Sequence, residues 1–319
     1  MTANASATAS STAPLPWMRC SLPDRWSLAT ISPDPSGPDT QAVRSFYFKM
    51  PNRSPLLFDS HVHLDRLAAP EQEAREAREK GVGGFLVPGI DPANWPELLS
   101  TVELIPEAVA ALGIHPLKGH LWSPEYLERL ESLLQHPKVI AIGEVGLDRQ
   151  AELPLSQQEG LLRHQIRLAI RQHKPLLLHN RGTTGQLMTL LREGGAEQVG
   201  GIFHAFSGSL ETAREAIRLG FLIGVGGAIT WPEASRLCKM VAQLPSEALV
   251  LESDAPDMTP SPYRGTPNRP SYLPLVANRL ATLRGCSVAE IAHSTRENLS
   301  RLFPQFASTS LWRSELPHD

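Results

Sequence analysis

From Leu56 onward, short apolar runs alternate with longer amphipathic stretches. The runs are Leu56–His61, Gly84–Pro88, Val109–Gly113, Val139–Gly143, Pro175–His179, Gly201–His204, Phe221–Val225 and Ala248–Glu252. Each is apolar on both sides of the chain and bounded by Gly or Pro, the pattern of buried parallel strands. Between them the period lengthens to that of a helix. Glu71–Lys80 carries charged pairs four apart, such as Glu71 with Arg75. Ser156–Gln172 places Leu161, Leu162, Ile166, Ala169 and Ile170 on one face, and Ser156 with Glu159 predicts a capping box at its start. Asn94–Leu104, Glu125–Leu134, Thr184–Glu193, Glu211–Leu219 and Glu233–Leu244 fill the remaining gaps, and Tyr272–Leu283 and Val288–Leu302 close the series. Eight strands alternating with helices over about 250 residues predict a single-domain (β/α)8 TIM barrel. An open doubly wound sheet would carry a Gly-rich phosphate loop after the first strand; His-x-His stands there instead.

Residues 1–54 break this pattern. They open on a Ser/Thr/Ala tract and contain the breaker cluster Ser32-Pro33-Asp34-Pro35-Ser36-Gly37-Pro38. They read as a disordered extension, with Met50 as an alternative start, ahead of a folded domain over 55–306 and a tail over 307–319. Composition narrows the function classes. With 41% hydrophobic and 20% charged residues the chain can bury a sizeable core, and a net charge of −3 argues against a general DNA-coating protein. No run of about 18 apolar residues exists to span a membrane. The three cysteines, Cys20, Cys238 and Cys286, are far apart, which suits a reducing compartment such as the cytoplasm.

The chemistry gathers at strand ends. His61 and His63 stand two apart, so at strand spacing they face the same way. Later strands end in His115, Glu144, His179, His204 and Asp254. In a barrel these ends share one pocket. Mixed imidazole and carboxylate donors exceed what one tetrahedral zinc needs and suit two divalent ions sharing a carboxylate. Glu144 is the expected bridge, with His61, His63 and Asp254 on one ion and His179 and His204 on the other. A water held by both would be a nucleophile near neutral pH, and Asp254 can take its proton. Magnesium, manganese and zinc all suit such a donor set.

The stretches Asp59-Ser60-His61-Val62-His63-Leu64-Asp65, Gly113-Ile114-His115-Pro116, Gly143-Glu144-Val145-Gly146-Leu147-Asp148, Phe203-His204-Ala205-Phe206-Ser207-Gly208 and Leu251-Glu252-Ser253-Asp254-Ala255-Pro256 resemble the TatD family of metal-dependent deoxyribonucleases. The resemblance covers about residues 56 to 304. It implies a (β/α)8 barrel, two divalent metals held by His61, His63, Glu144, His179, His204 and Asp254, and 3′-to-5′ exonucleolytic hydrolysis of DNA. Glu144 and Asp254 are its catalytic pair, and His115 is implied to meet substrate phosphate. Arg181 and Arg264 are further substrate-binding candidates, DNA 3′ ends the expected partner, and a monomer the expected state. Two places depart from the family pattern: Gly182 replaces an acid after Asn180-Arg181, and Arg269 replaces a Glu in Arg264-Gly265-Thr266-Pro267-Asn268-Arg269-Pro270. The alternatives are hydrolysis of another ester such as D-aminoacyl-tRNA, an amidohydrolase-type enzyme, or a non-catalytic barrel with a relic site.

Overall fold

All eight apolar runs form strands in the computed structural model, which describes residues 56–305. The expected extension over 1–54 and tail over 307–319 lie outside the described residues. The strands are β1 (Leu57–Asp59), β2 (Val82–Pro88), β3 (Ala108–Ala111), β4 (Val139–Asp148), β5 (Leu176–Arg181), β6 (Gly201–Phe203), β7 (Phe221–Val225) and β8 (Leu249–Leu251). They pair in parallel in the order β1 to β8. The backbone bonds Ser60 N–H to Leu251 O (2.9 Å) and Asp254 N–H to His61 O (2.8 Å) draw β8 against β1 and nearly close the barrel.

The helices are α1 (Pro70–Glu79), α2 (Trp95–Leu104), α3 (Pro124–Leu133), α4 (Leu155–Gln172), α5 (Thr184–Glu193), α6 (Leu210–Arg218), α7 (Ser235–Gln243), α8 (Leu273–Arg284) and α9 (Val288–Leu302). Proline opens α1 and α3 at their first turn, where its missing N–H costs no hydrogen bond. Ser123 and Ser209 cap α3 and α6 with their side chains. The capping box predicted at Ser156 and Glu159 does not form. Helix α4 begins one residue earlier, after Pro154, so Ser156 lies inside the first turn with no cap to make. The capping box is found at α9, where Ser287 and Glu290 satisfy each other's backbone N–H groups.

Two apolar layers hold the barrel. The inner one includes Phe58, Ile140, Leu177, Ile202, Leu222 and Val250, and α9 adds Leu299 and Phe303 to it. Those strand residues sit early in their strands, so α9 fills the N-terminal end of the barrel. The outer layer packs the opposite strand faces on the helices, with Trp95 as its largest fully buried side chain. Cys238 is buried in this layer, as a packing residue. The C-terminal strand ends are thereby left for polar side chains.

Strand β4 is longer than its apolar run. It pairs with β5 from Ile142 opposite Leu176 to Asp148 opposite Arg181, so Glu144 projects from mid-strand. Glycine permits this close pairing: a Cβ on Gly143 would stand 2.5 Å from Leu177 Cβ, and one on Gly146 would stand 1.9 Å from His179 O. Among the described residues no helix is long and apolar enough to cross a membrane.

Candidate metal centre

Backbone hydrogen bonds continue past the end of β1 and hold the next residues through a bend at Ser60 and His61. Val62 N–H donates to Leu86 O (3.1 Å) and His63 N–H to Ala255 O (2.9 Å). His61 and His63 therefore project to one side, with their Nε2 atoms 3.3 Å apart. Both stand 3.6 Å from Asp254 Oδ1, and Glu144 Oε2 lies 3.5 Å from His61 and 3.9 Å from His63. Ligands about 2.1 Å from one ion in a tetrahedral arrangement are spaced about 3.4 Å apart. The five distances that His61 and His63 make with each other, with Glu144 and with Asp254 lie near that spacing, and His61, His63 and Glu144 form a group able to hold a divalent ion. Burial holds His61 down to about 4, with the neighbouring His204 adding to the effect, and burial likewise pushes His63 well below the usual imidazole range. Both rings are neutral near pH 7, as ligands must be.

The other oxygen of Glu144 faces elsewhere. Its Oε1 meets His179 Nδ1 at 2.9 Å and His115 Nε2 at 3.7 Å. His179 Nε2 is held in turn by Asp148 Oδ2 at 3.0 Å. Burial opposes charge on this ring, but the bonds to Asp148 and Glu144 outweigh it and raise His179 to about 9. Burial favours a neutral Glu144, yet His61 and His115 around it hold the carboxyl well below its usual range. His115 is neutral, lowered by burial to about 3. Its Nδ1 accepts from Leu117 N–H (3.1 Å), so its proton sits on Nε2 and points into the site.

His204 stands apart from the expected partition. Sequence order groups it with His179, whereas its donor atoms fall within 4.8 Å of those of His61 and Asp254. The cause is Glu252, whose Oε2 is 3.1 Å from His204 Nδ1, together with the stacking of the ring on His61 at 3.5 Å between centroids. Burial opposes its charge, but Glu252 and Asp254 outweigh that and raise His204 to about 10. Asp254 is raised to about 7, mainly by burial.

Several supporting residues escaped the sequence reading. Glu252 is fully buried, accepts from Ala205 N–H (2.8 Å), and occupies space that any side chain at Gly224 would take. Asp59 accepts from Ser253 N–H (2.8 Å) beneath the site, and burial pushes its carboxyl up to about 8. Gln158 and Gln165 of α4 each grip one backbone residue through both its groups. Gln158 bonds N–H and C=O of Asp148 (2.9 and 3.0 Å), and Gln165 those of Ile114 (2.7 and 3.1 Å). The signal for both was present: polar residues seven apart on the apolar face of a helix.

The arginines differ from one another. Arg181 ends β5 exposed, opposite Asp148. Arg264 lies over the Trp231 ring, 4.5 Å from its centroid, and pairs with Glu233. Arg269 neither lines the pocket nor faces solvent freely; it bonds Glu73 (2.9 Å) and Glu76 on α1 and ties the post-β8 loop to that helix. Gly182 takes the left-handed conformation at φ 70°, which favours glycine over the acid of the family pattern.

A barrel with this cluster of buried His, Glu and Asp at its C-terminal face defines a metal-dependent hydrolase. Residues 58–304 match the family described as TatD related DNase, and the chain belongs to that family. It is 37% identical over 252 residues to the metal-dependent hydrolase YabD of Bacillus subtilis (strain 168), covering 78% of this chain and 99% of that protein. It is 38% identical over 251 residues to the metal-dependent hydrolase YjjV of Escherichia coli (strain K12), covering 77% and 96%. The crystal structure of YjjV, a TatD homologue, superposes with a TM-score of 0.74, covering 78% of this chain and 98% of that one. An organophosphorus hydrolase from Deinococcus radiodurans, at 15% identity, 79% and 93% coverage and a TM-score of 0.53, shares the fold alone.

Proposed function

We propose that the chain is a two-metal phosphodiesterase that shortens DNA from its 3′ end. The observation that carries this is the split of Glu144: Oε2 faces His61 and His63 while Oε1 faces His179. One carboxylate addressed to two imidazole groups is what a bridging ligand requires. His61, His63, Glu144 and Asp254 would hold one ion, and Glu144 and His179 the other. His204, whose charge influences both His61 and His179, completes the set. When bound, the ions supply a water acidic enough to attack phosphorus near neutral pH. Asp254, beside the place of that water, would accept its proton, and the ester oxygen expelled from phosphorus would leave as the shortened strand's 3′-hydroxyl. The Nε2–H of His115 donates to a non-bridging phosphate oxygen and steadies its growing charge. Arg181, exposed at the end of β5 opposite Asp148, is the cation for the next phosphate, whereas Arg264 is engaged by Trp231 and Glu233.

An amidohydrolase centre bridged by a carboxylated lysine is disfavoured. Glu144 holds that place, and the nearest lysine, Lys138, donates from Nζ to the carbonyls of Val102 (2.6 Å) and Ile105 (2.9 Å). The deciding experiment sets a 3′-labelled single-stranded DNA against D-aminoacyl-tRNA, with magnesium, manganese or zinc and a chelator control. Stepwise, metal-dependent shortening of the DNA is expected. Release of the amino acid with the DNA intact would reject the nuclease reading.

Loading the ions should release protons. Ligand nitrogens must be free of hydrogen, yet His179 and His204 are raised to about 9 and about 10 and carry protons at pH 7. Metal affinity therefore strengthens as pH rises from 6 to 9, with roughly two to three protons released at pH 7, since Asp254, raised to about 7, is half protonated there as well. Calorimetry in buffers of different ionisation enthalpy measures this, and loading without proton release would remove both residues from the ligand set.

Asp148 orients His179 through Nε2 and leaves Nδ1 toward Glu144. Asp148→Asn is expected to weaken metal affinity about 10- to 100-fold with the fold intact. Competition with a fluorescent chelator reads the change.

A further inference from the structure

The loop after β8 starts at Asp254, returns through Arg269, and is braced along its length. Asn268 Nδ2 donates to the carbonyls of Ser253 (2.6 Å) and Asp257 (2.8 Å). Higher up, Thr259 Oγ1 donates to Thr266 O (2.6 Å), and Thr266 N and Oγ1 both donate to Tyr263 O (3.1 and 2.7 Å). The tip is therefore rigid. On it stands Tyr263, 38% exposed, its ring nearly parallel to Tyr272 at 16° and 4.3 Å between centroids. Tyr272 covers one face of the ring, and more than a third of the residue stays exposed.

Scattered exposed hydrophobic side chains are ordinary. This one is unusual in being held by three interactions, two bonds from Thr266 to its carbonyl and the stack on Tyr272, so covering it costs little conformational entropy. Its surroundings also limit what can cover it. The adjacent cation, Arg264, is already paired with Glu233 and stacked on Trp231, so the tip offers a flat ring rather than charge for a phosphate. The loop follows β8, whose end carries Asp254, and Trp231 Nε1–H in the segment after β7 donates to Thr259 O (2.9 Å), which keeps the loop at the face where the ligands gather.

We propose that Tyr263 is a stacking platform for a nucleobase of the strand whose 3′ end lies over the metal ligands. This rests on the nuclease reading and adds a subsite to it. Tyr272 backs the platform. Stacking on a ring tolerates any base, so the subsite confers grip on single strands without sequence preference.

Steady-state rates of the full-length enzyme test this on single-stranded DNA, with an abasic residue moved through the last few positions. Tyr263→Ala is expected to raise KM roughly tenfold and to leave kcat within about twofold, while Tyr263→Phe behaves as wild type. An abasic residue at the matching position should raise the wild-type KM by the same factor and add nothing in Tyr263→Ala. Hydrolysis of bis(p-nitrophenyl) phosphate should be unchanged in the variant, which shows that the centre is intact. An unaltered KM in Tyr263→Ala, or abasic and alanine effects that simply add, would overturn the platform while leaving the nuclease standing. A wild type that hydrolyses the chromogenic diester but no DNA would overturn both.

Discussion

Glu144→Ala is expected to lower phosphodiester hydrolysis by about a thousandfold or more and to cost the protein bound metal. The magnitude follows from position. Each of its oxygens faces a different imidazole group, at 3.5 Å from His61 and 2.9 Å from His179, so one deletion disturbs both. His179 also loses an anion that offsets its positive charge. Glu144→Gln separates charge from shape: it keeps the volume but cannot act as an anionic bridge, and should lose nearly as much rate. Metal analysis and circular dichroism on both variants check the result. Wild-type rates with stoichiometric metal in either would remove Glu144 from the centre.

Trp95→Ala is expected to destabilise the protein by about 3–5 kcal/mol, lowering Tm on the order of 10 °C. Trp95 is fully buried in the outer layer and stands at the start of α2. Its ring lies against Gly89, where a Cβ would come within 3.1 Å, and its Nε1–H donates to Gly113 O at 3.3 Å. Replacement leaves a cavity and an unpaired carbonyl two residues before His115. Thermal unfolding measures the loss. Retained stability within 1 kcal/mol would mean that neighbouring side chains collapse into the space.

Much of this was legible along the chain because it depends on local period. Alternation between apolar runs and helical faces placed all eight strands, and α5 and α9 begin and end where the pattern said. The polar residues at strand ends were legible for the same reason: a barrel puts every such end at one face, so His61, His63, Glu144, His179, His204 and Asp254 had to approach one another. The capping box was misplaced because Ser-x-x-Glu can occur inside a first turn as easily as at its edge. Only the start of the helix, set by Pro154, distinguishes the two.

The sequence by itself determined the strand order, the donor types and the face on which they gather, since each follows from residue spacing and from the direction of parallel strands. Tertiary structure decided which donor meets which. His204 is turned onto His61 by Glu252 at the end of β8, two strands away, and His179 is held between Glu144 and Asp148. Arg269 is drawn to two glutamates on a helix almost two hundred residues earlier. Such pairings depend on distances of a few ångströms between segments remote in the chain, and no local pattern carries them.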